Sequence, residues 1–126
     1  VFASFGSFLS ALVATAFLGL GAGALAAPLE LAKNYGLPVD DATGIAYVRG
    51  LGMRDAVLGL IVVVFLARRE RAALASTIGL SALVGASDFT LVATTRGAEA
   101  PKASLAIHGI GTIGLLAIWA ILRAEA

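Results

Sequence analysis

The sequence predicts an all-α fold, an integral membrane protein built as one antiparallel four-helix bundle over residues 1–126. Three observations carry this. Of the 126 residues, 60% are hydrophobic and 13% charged, against about 25% charged in a soluble domain. The mean hydropathy is +0.97. The apolar residues fall into four long runs, about 2–27, 48–67, 72–94 and 103–122, each near the roughly 20 residues that cross a bilayer at about 1.5 Å per residue.

The first run carries no charge and is rich in Ala, Gly and Leu. Gly23-Ala24-Leu25-Ala26-Ala27 resembles a signal-peptide cleavage site, but the run exceeds the roughly 7–15 residues of a signal core, so a spanning helix is the better reading. Pro28 ends it, because the residue before a proline is pushed out of the helical region. Gly19, Gly21 and Gly23 follow no strand and lack the rest of a dinucleotide fingerprint. They read as a close-packing helix face, with Gly19 and Gly23 in a small-xxx-small pattern. The opening at Val1 implies that a few native residues precede it.

Leu29 to Tyr47 is the most polar connection, with Glu30, Lys33, Asn34, Asp40 and Asp41 beside Gly36 and Pro38. It is expected to be a loop of nearly twenty residues with a short helix from Leu29 to Tyr35. Loops beyond about 12–15 residues are commonly functional, and this one is placed to act as a lid. The second run follows, closed by Arg68-Arg69-Glu70-Arg71. So short a turn makes the third run return antiparallel as a helical hairpin. Arg96 to Lys102 forms the next polar turn, and the fourth run ends at Arg123. Trp119 and Tyr47, near opposite boundaries, read as interfacial anchors.

Composition excludes several classes. A net charge of +1, from nine basic and eight acidic residues, leaves no electrostatic footprint for nucleic acid. The absence of cysteine removes disulfides, thiolate metal sites and thiol redox chemistry. One histidine with carboxylates is too poor a donor set for a metal site, and no motif implies a cofactor. Arg68, Arg69, Arg71 and Arg123 on one face outweigh Lys33, Arg96 and Lys102 on the other, with Arg49 at its border. The positive-inside rule therefore favours both termini inside, in a bacterial inner membrane, with the Arg68–Arg71 turn against lipid phosphates.

The functional signal is a layer of ionisable groups inside three runs: Arg54, Asp55, Asp88 and His108. Asp55 lies six residues past Arg49, Asp88 seven before Thr95 and His108 six past Lys102, so each sits about 9–10 Å below the same boundary. Such groups cost about 2.5–3.5 kcal/mol each at mid-depth and normally face one another or a functional cavity. Asp55 shares a helix face with Gly52, Ala56 and Gly59, which admits a neighbouring backbone. Thr77, Ser81, Gly85 and Asp88 form a polar and small stripe, and Ser104, His108, Gly111 and Thr112 form another.

Two accounts fit this layer. In one, Arg54 and Asp55 join Asp88 and Arg49 in an ion-pair network that fixes bundle register. In the other, Asp55, Asp88 and His108 are proton carriers at a catalytic site, since a carboxylate beside a histidine in a low-dielectric pocket makes a proton donor and acceptor pair. Arg49 and Arg54 then hold an anionic or carbonyl oxygen, with Ser81, Ser104 and Thr112 as hydrogen-bonding neighbours.

The segment Tyr47-Val48-Arg49-Gly50-Leu51-Gly52-Met53-Arg54-Asp55-Ala56-Val57-Leu58-Gly59-Leu60, an arginine-rich turn, a third run with Asp88 and a fourth with His108-Gly109 together resemble one family. It is the small four-helix membrane proteins grouped as domain of unknown function 4267, found in bacteria and fungi. The resemblance implies four helices and a membrane, not a reaction.

Three functions remain. The first is a protein that binds, and isomerises or cyclises, a lipophilic small molecule entering between helices. The second is a non-catalytic accessory subunit packed against a larger membrane protein complex, or a homo-oligomer. The third is a proton or small-solute conductor, disfavoured because no internal repeat is evident. The first is preferred, because a scaffold has little need of four ionisable groups at one depth. Membrane lipids are the expected surroundings in all three.

Overall fold

The computed structural model describes residues 4–126, which form five α-helices, one 3₁₀ turn and no strand. Four helices are long and apolar enough to span a membrane: α1 (Phe5–Ala26), α3 (Ala42–Arg68), α4 (Arg71–Arg96) and α5 (Lys102–Ala124). The short α2 (Pro28–Tyr35) lies between the first two. Residues 2 and 3 of the first expected run lie outside the described residues. All four spans are covered mostly by outward apolar side chains, among them Leu12, Leu60, Leu83, Ile110 and Ile113. That exposure would be prohibitive in water over so large an area, and it is the ordinary surface of a protein solvated by lipid.

The helix boundaries follow local signals. Ser4 caps α1 by accepting from the Ser7 N–H at 3.1 Å. Pro28 is the first residue of α2, where a missing N–H costs nothing. Gly36 ends that helix in the left-handed region at φ 108°. A Cβ there would also lie 2.8 Å from Val92 Cγ1 and 2.9 Å from Ser104 Cβ, so both backbone and space call for glycine.

The third helix starts six residues earlier than the apolar run implies. Asp41 takes the N-cap, its carboxylate accepting from the Gly44 N–H at 2.7 Å, and helix extends through Ala42–Tyr47 above the apolar run. The expected twenty-residue loop is thus a helix at each end with only 36–41 between.

Packing pairs α1 with α3 and α4 with α5 most extensively. The α1–α3 seam is made by missing side chains. A Cβ on Gly21 would sit 2.7 Å from Gly52 O and 2.8 Å from Ala56 Cβ, and one on Gly59 would sit 2.9 Å from Leu18 Cγ and 3.1 Å from Ala14 O. The close-packing glycine of α1 is therefore Gly21; a Cβ on Gly19 meets nothing within 4 Å, and one on Gly23 would make ordinary contact with Leu31. Between α4 and α5, Trp119 lies over Gly79, so this ring, expected as an interfacial anchor, packs on a neighbouring helix.

The bundle is clasped where α1 begins and α5 ends. The Gly6 N–H donates to the Glu125 carboxylate at 3.1 and 3.3 Å, and Arg71 Nη1 donates to it at 3.3 Å. Hydrogen bonds from Ser4 and from the Gly6 N–H, with the Arg71 charge behind them, hold the Glu125 carboxyl below its ordinary range. This clasp places the starts of α1 and α4 at the same end as the end of α5, as alternating spans require. Arg68 is paired with Glu70 at 2.5 Å in the same turn.

Candidate intramembrane site

At the opposite end the four ionisable residues meet. Arg54 on α3 bridges both acids. Its Nε and Nη2 donate to Asp55 Oδ1 at 3.2 and 3.1 Å, and its Nη1 and Nη2 donate to Asp88 Oδ1 and Oδ2 at 3.4 and 3.2 Å. The Asp88 pairing is the two-oxygen fork that a planar guanidinium is shaped for. Asp55 and Asp88 are 9% and 7% exposed, so these charges sit in a medium where lacking a partner would be costly.

The α2 helix ties in the rest. The Tyr35 hydroxyl donates to Asp88 Oδ1 at 2.7 Å. Burial, and then the Asp88 carboxylate, push the Tyr35 phenol above its ordinary range, so it remains a donor. His108 Nε2 bonds the Tyr35 carbonyl at 2.8 Å, and the two rings meet edge-on with centroids 4.6 Å apart. A carbonyl only accepts, so Nε2 carries the hydrogen, and in the neutral imidazole Nδ1 is an acceptor. Ser104 Oγ donates to Asn34 O at 2.9 Å and Arg96 Nη1 to Gly36 O at 3.1 Å. Three carbonyls at the C-terminus of α2, which no helical N–H can reach, are thus satisfied by α4 and α5.

Beside this cluster lies a cavity of about 430 Å³. Val13, Ala16, Phe17 and Leu20 of α1 form one wall, and residues from Ile107 to Ile118 of α5 form the other. Asp55, Ser81 and Asp88 form its polar back, with Asn34 and Tyr35 of α2 over one end. Ala16, Leu20, Ile107 and Gly111 line it and are also exposed. The cavity therefore opens sideways, between α1 and α5, towards lipid. Its span from Val13 to Leu20 and from Ile107 to Ile118 corresponds to roughly 10–16 Å along the helices.

The groups of the layer are not equally available to a ligand. Asp88 is engaged at both oxygens: Oδ1 accepts from Tyr35 and Arg54, and Oδ2 from Arg54. Asp55 Oδ1 is taken twice by Arg54, whereas Oδ2 has no hydrogen-bond partner among the described residues. Nor does His108 Nδ1. No fully buried side-chain nitrogen or oxygen among the described residues lacks a partner, so both atoms are accessible, and both residues line the cavity. On the spanning-helix residues that line it, Asp55 Oδ2 and His108 Nδ1 are the side-chain polar atoms without a hydrogen-bond partner.

The remaining expected site residues are placed differently. Arg49 is exposed on α3 and bonds no member of the cluster. Arg54 does not line the cavity, its guanidinium being engaged by the two carboxylates. Ser81 lines it, with its proton donated to Thr77 O at 2.7 Å. Ser104 is turned to α2, and Thr112, bonded to His108 O at 2.7 Å, packs against Gly85. Sequence reasoning missed Tyr35. Its signal was its place at the C-terminus of the lid segment, one residue before the glycine that stops the helix. No group of three or more potential metal ligands occurs among the described residues.

The fold and this cluster define a small integral membrane protein of four spanning helices with a charged layer between them, capped by a short helix. The chain belongs to the family described as domain of unknown function DUF4267, whose model matches residues 14–123. No curated protein and no solved structure matches it.

Proposed function

We propose that this protein binds a lipophilic small molecule that enters from the bilayer between α1 and α5. The observation that carries the reading is the cavity itself. Its volume falls in the range of about 300–1,000 Å³ typical of small-molecule sites, and it combines apolar walls with a few convergent polar groups, as such sites do. A purely structural ion-pair network needs Arg54 and Asp88. It does not need an accessible carboxylate oxygen and an accessible imidazole nitrogen on a sideways-opening apolar chamber.

A second reading builds on those two atoms. Asp55 Oδ2 and His108 Nδ1 are partnerless atoms able to exchange a proton with a bound molecule: in the unprotonated form one takes a proton from one atom and returns it to another, an isomerisation, and in the protonated form one donates the proton that starts a cyclisation and recovers a proton at its end. Asp88 then acts through Arg54 and Tyr35 as a positioning residue.

Filling the chamber tests binding. A Cβ on Gly111 or Gly114 meets nothing within 4 Å, so Gly111→Leu is accommodated locally, and because Gly111 lines the cavity it is expected to narrow it. Protein purified from its membranes and extracted into organic solvent is expected to release a defined small molecule, seen by mass spectrometry, that Gly111→Leu lacks while keeping its helical circular dichroism. Identical extracts containing only bulk lipid would overturn the reading.

A further inference from the structure

The groups at the polar end of the cavity also select the ligand's head group. Arg54 provides one positive charge against two carboxylates, a formal surplus of one negative charge with both acids ionised. The other ion pairs among the described residues, Arg68–Glu70 and Arg71–Glu125, lie at the opposite end of the bundle. An uncompensated charge in a low-dielectric layer is unfavourable, and a counter-charge brought by a ligand is correspondingly strongly held.

Hydrogen-bonding capacity points the same way. With Asp55 ionised, its Oδ2 is an acceptor, and in the neutral imidazole His108 Nδ1 is an acceptor too, because Nε2 bonds Tyr35 O. Ser81 and Tyr35 have each given their only proton, to Thr77 O and Asp88. Asn34, exposed on α2, is the one side chain on the cavity with uncommitted donors, and it brings an acceptor too. No cationic side chain lines the chamber. At Asp55 Oδ2 and His108 Nδ1, away from Asn34, an anionic or carbonyl head group would set acceptor against acceptor.

Building on the binding reading above, we infer that the cavity takes a lipophilic amine, held as its ammonium cation with N–H donors on Asp55 Oδ2 and His108 Nδ1. Its apolar body runs along the α1–α5 cleft towards Val13 and Ile118. The ammonium completes the charge balance of the layer, and the apolar walls exclude a hydrated inorganic cation. Arg54 and Asp88 stay engaged with each other and hold Asp55 in place.

The test uses dodecylamine, dodecanol and laurate, three probes with one alkyl chain and different head groups. They are titrated against the full chain in phosphatidylcholine nanodiscs, and one-to-one adducts are read by native mass spectrometry with Gly111→Leu as the background. Dodecylamine is expected to bind tighter than dodecanol by about tenfold or more, as a charge-assisted contact in a dry site allows. Laurate is expected not to rise above background, and Asp55→Asn is expected to bring the amine down to the level of the alcohol. Laurate or dodecanol binding as well as the amine, or an amine adduct unchanged by Asp55→Asn, overturns the amine assignment and leaves the cavity reading standing. If none of the three exceeds the Gly111→Leu background, the amine assignment falls, and the cavity reading is then judged on the extracted molecule.

Discussion

Replacing Arg54 by glutamine is expected to lower stability by on the order of 3 kcal/mol, the scale for removing one member of a buried ion pair. The change withdraws the only cation that reaches Asp55 and Asp88 among the described residues and leaves two nearly buried carboxylates facing each other. Arg54→Lys is expected to recover only part of the loss. A single ammonium cannot reproduce the fork to both Asp88 oxygens while also reaching Asp55 Oδ1. Combining Arg54→Gln with Asp55→Asn is expected to recover more, since it removes one of the stranded charges. Unfolding from mixed micelles by a denaturing detergent, followed by circular dichroism, ranks the four proteins. A double variant no more stable than Arg54→Gln alone would show that charge imbalance is not what the single substitution exposes.

The second large effect is expected at the α1–α3 seam. Gly52→Leu places a side chain where even a Cβ collides with Ala24 Cβ and comes within 3.1 Å of Gly21 O. The obstruction includes backbone, which cannot rotate away, so α1 must move off α3. Overpacking of this kind costs about 1–3 kcal/mol or more. Asp55 is less than one turn beyond Gly52, so the displacement also shifts the carboxylate against Arg54 and the cavity. Gly50→Leu is the matched control: a Cβ on Gly50 meets nothing within 4 Å, and that variant is expected to unfold like the parent. Equal losses for the two leucine variants would mean that the seam is not set by close approach.

The membrane class and the four spans were legible because composition and run length alone satisfy the bilayer requirement. The polar layer was legible because ionisable residues are rare enough in apolar runs for their depth to be counted. Less legible was everything that depends on rotation about a helix axis or on a polar segment packing back. Arg49 lies near enough in sequence to join the layer, yet about 120° separates it from Asp55 around the helix, and it is exposed. Gly19 and Gly23 fit a packing motif, but the contact falls on Gly21, which faces Gly52. The start of α3 was hidden because Asp40 and Asp41 read as loop polarity, while Asp41 in fact caps a helix. Spacing could not show that α2 folds over the layer and supplies Tyr35, since that contact joins residues 53 apart through a hydroxyl.

Depth also could not separate the two acids. Both occupy one level, but Asp88 is closed by Tyr35 and Arg54, whereas Asp55 keeps one oxygen on the cavity. This division of labour is the core of the account: one acid holds the bundle and the other is held out to a ligand. It is tested most directly by comparing the melting temperatures of Asp55→Asn and Asp88→Asn with the parent in one detergent, without added ligand. Asp55→Asn retains an oxygen for Arg54, turns its amide to the cavity and cancels the surplus charge, so it is expected to melt at or above the parent. Asp88→Asn must set an amide N–H against an Arg54 N–H whichever way it turns, and is expected to lose about 1–3 kcal/mol, with a clearly lower melting temperature. Two variants destabilised alike would contradict the account and make both acids members of one structural network.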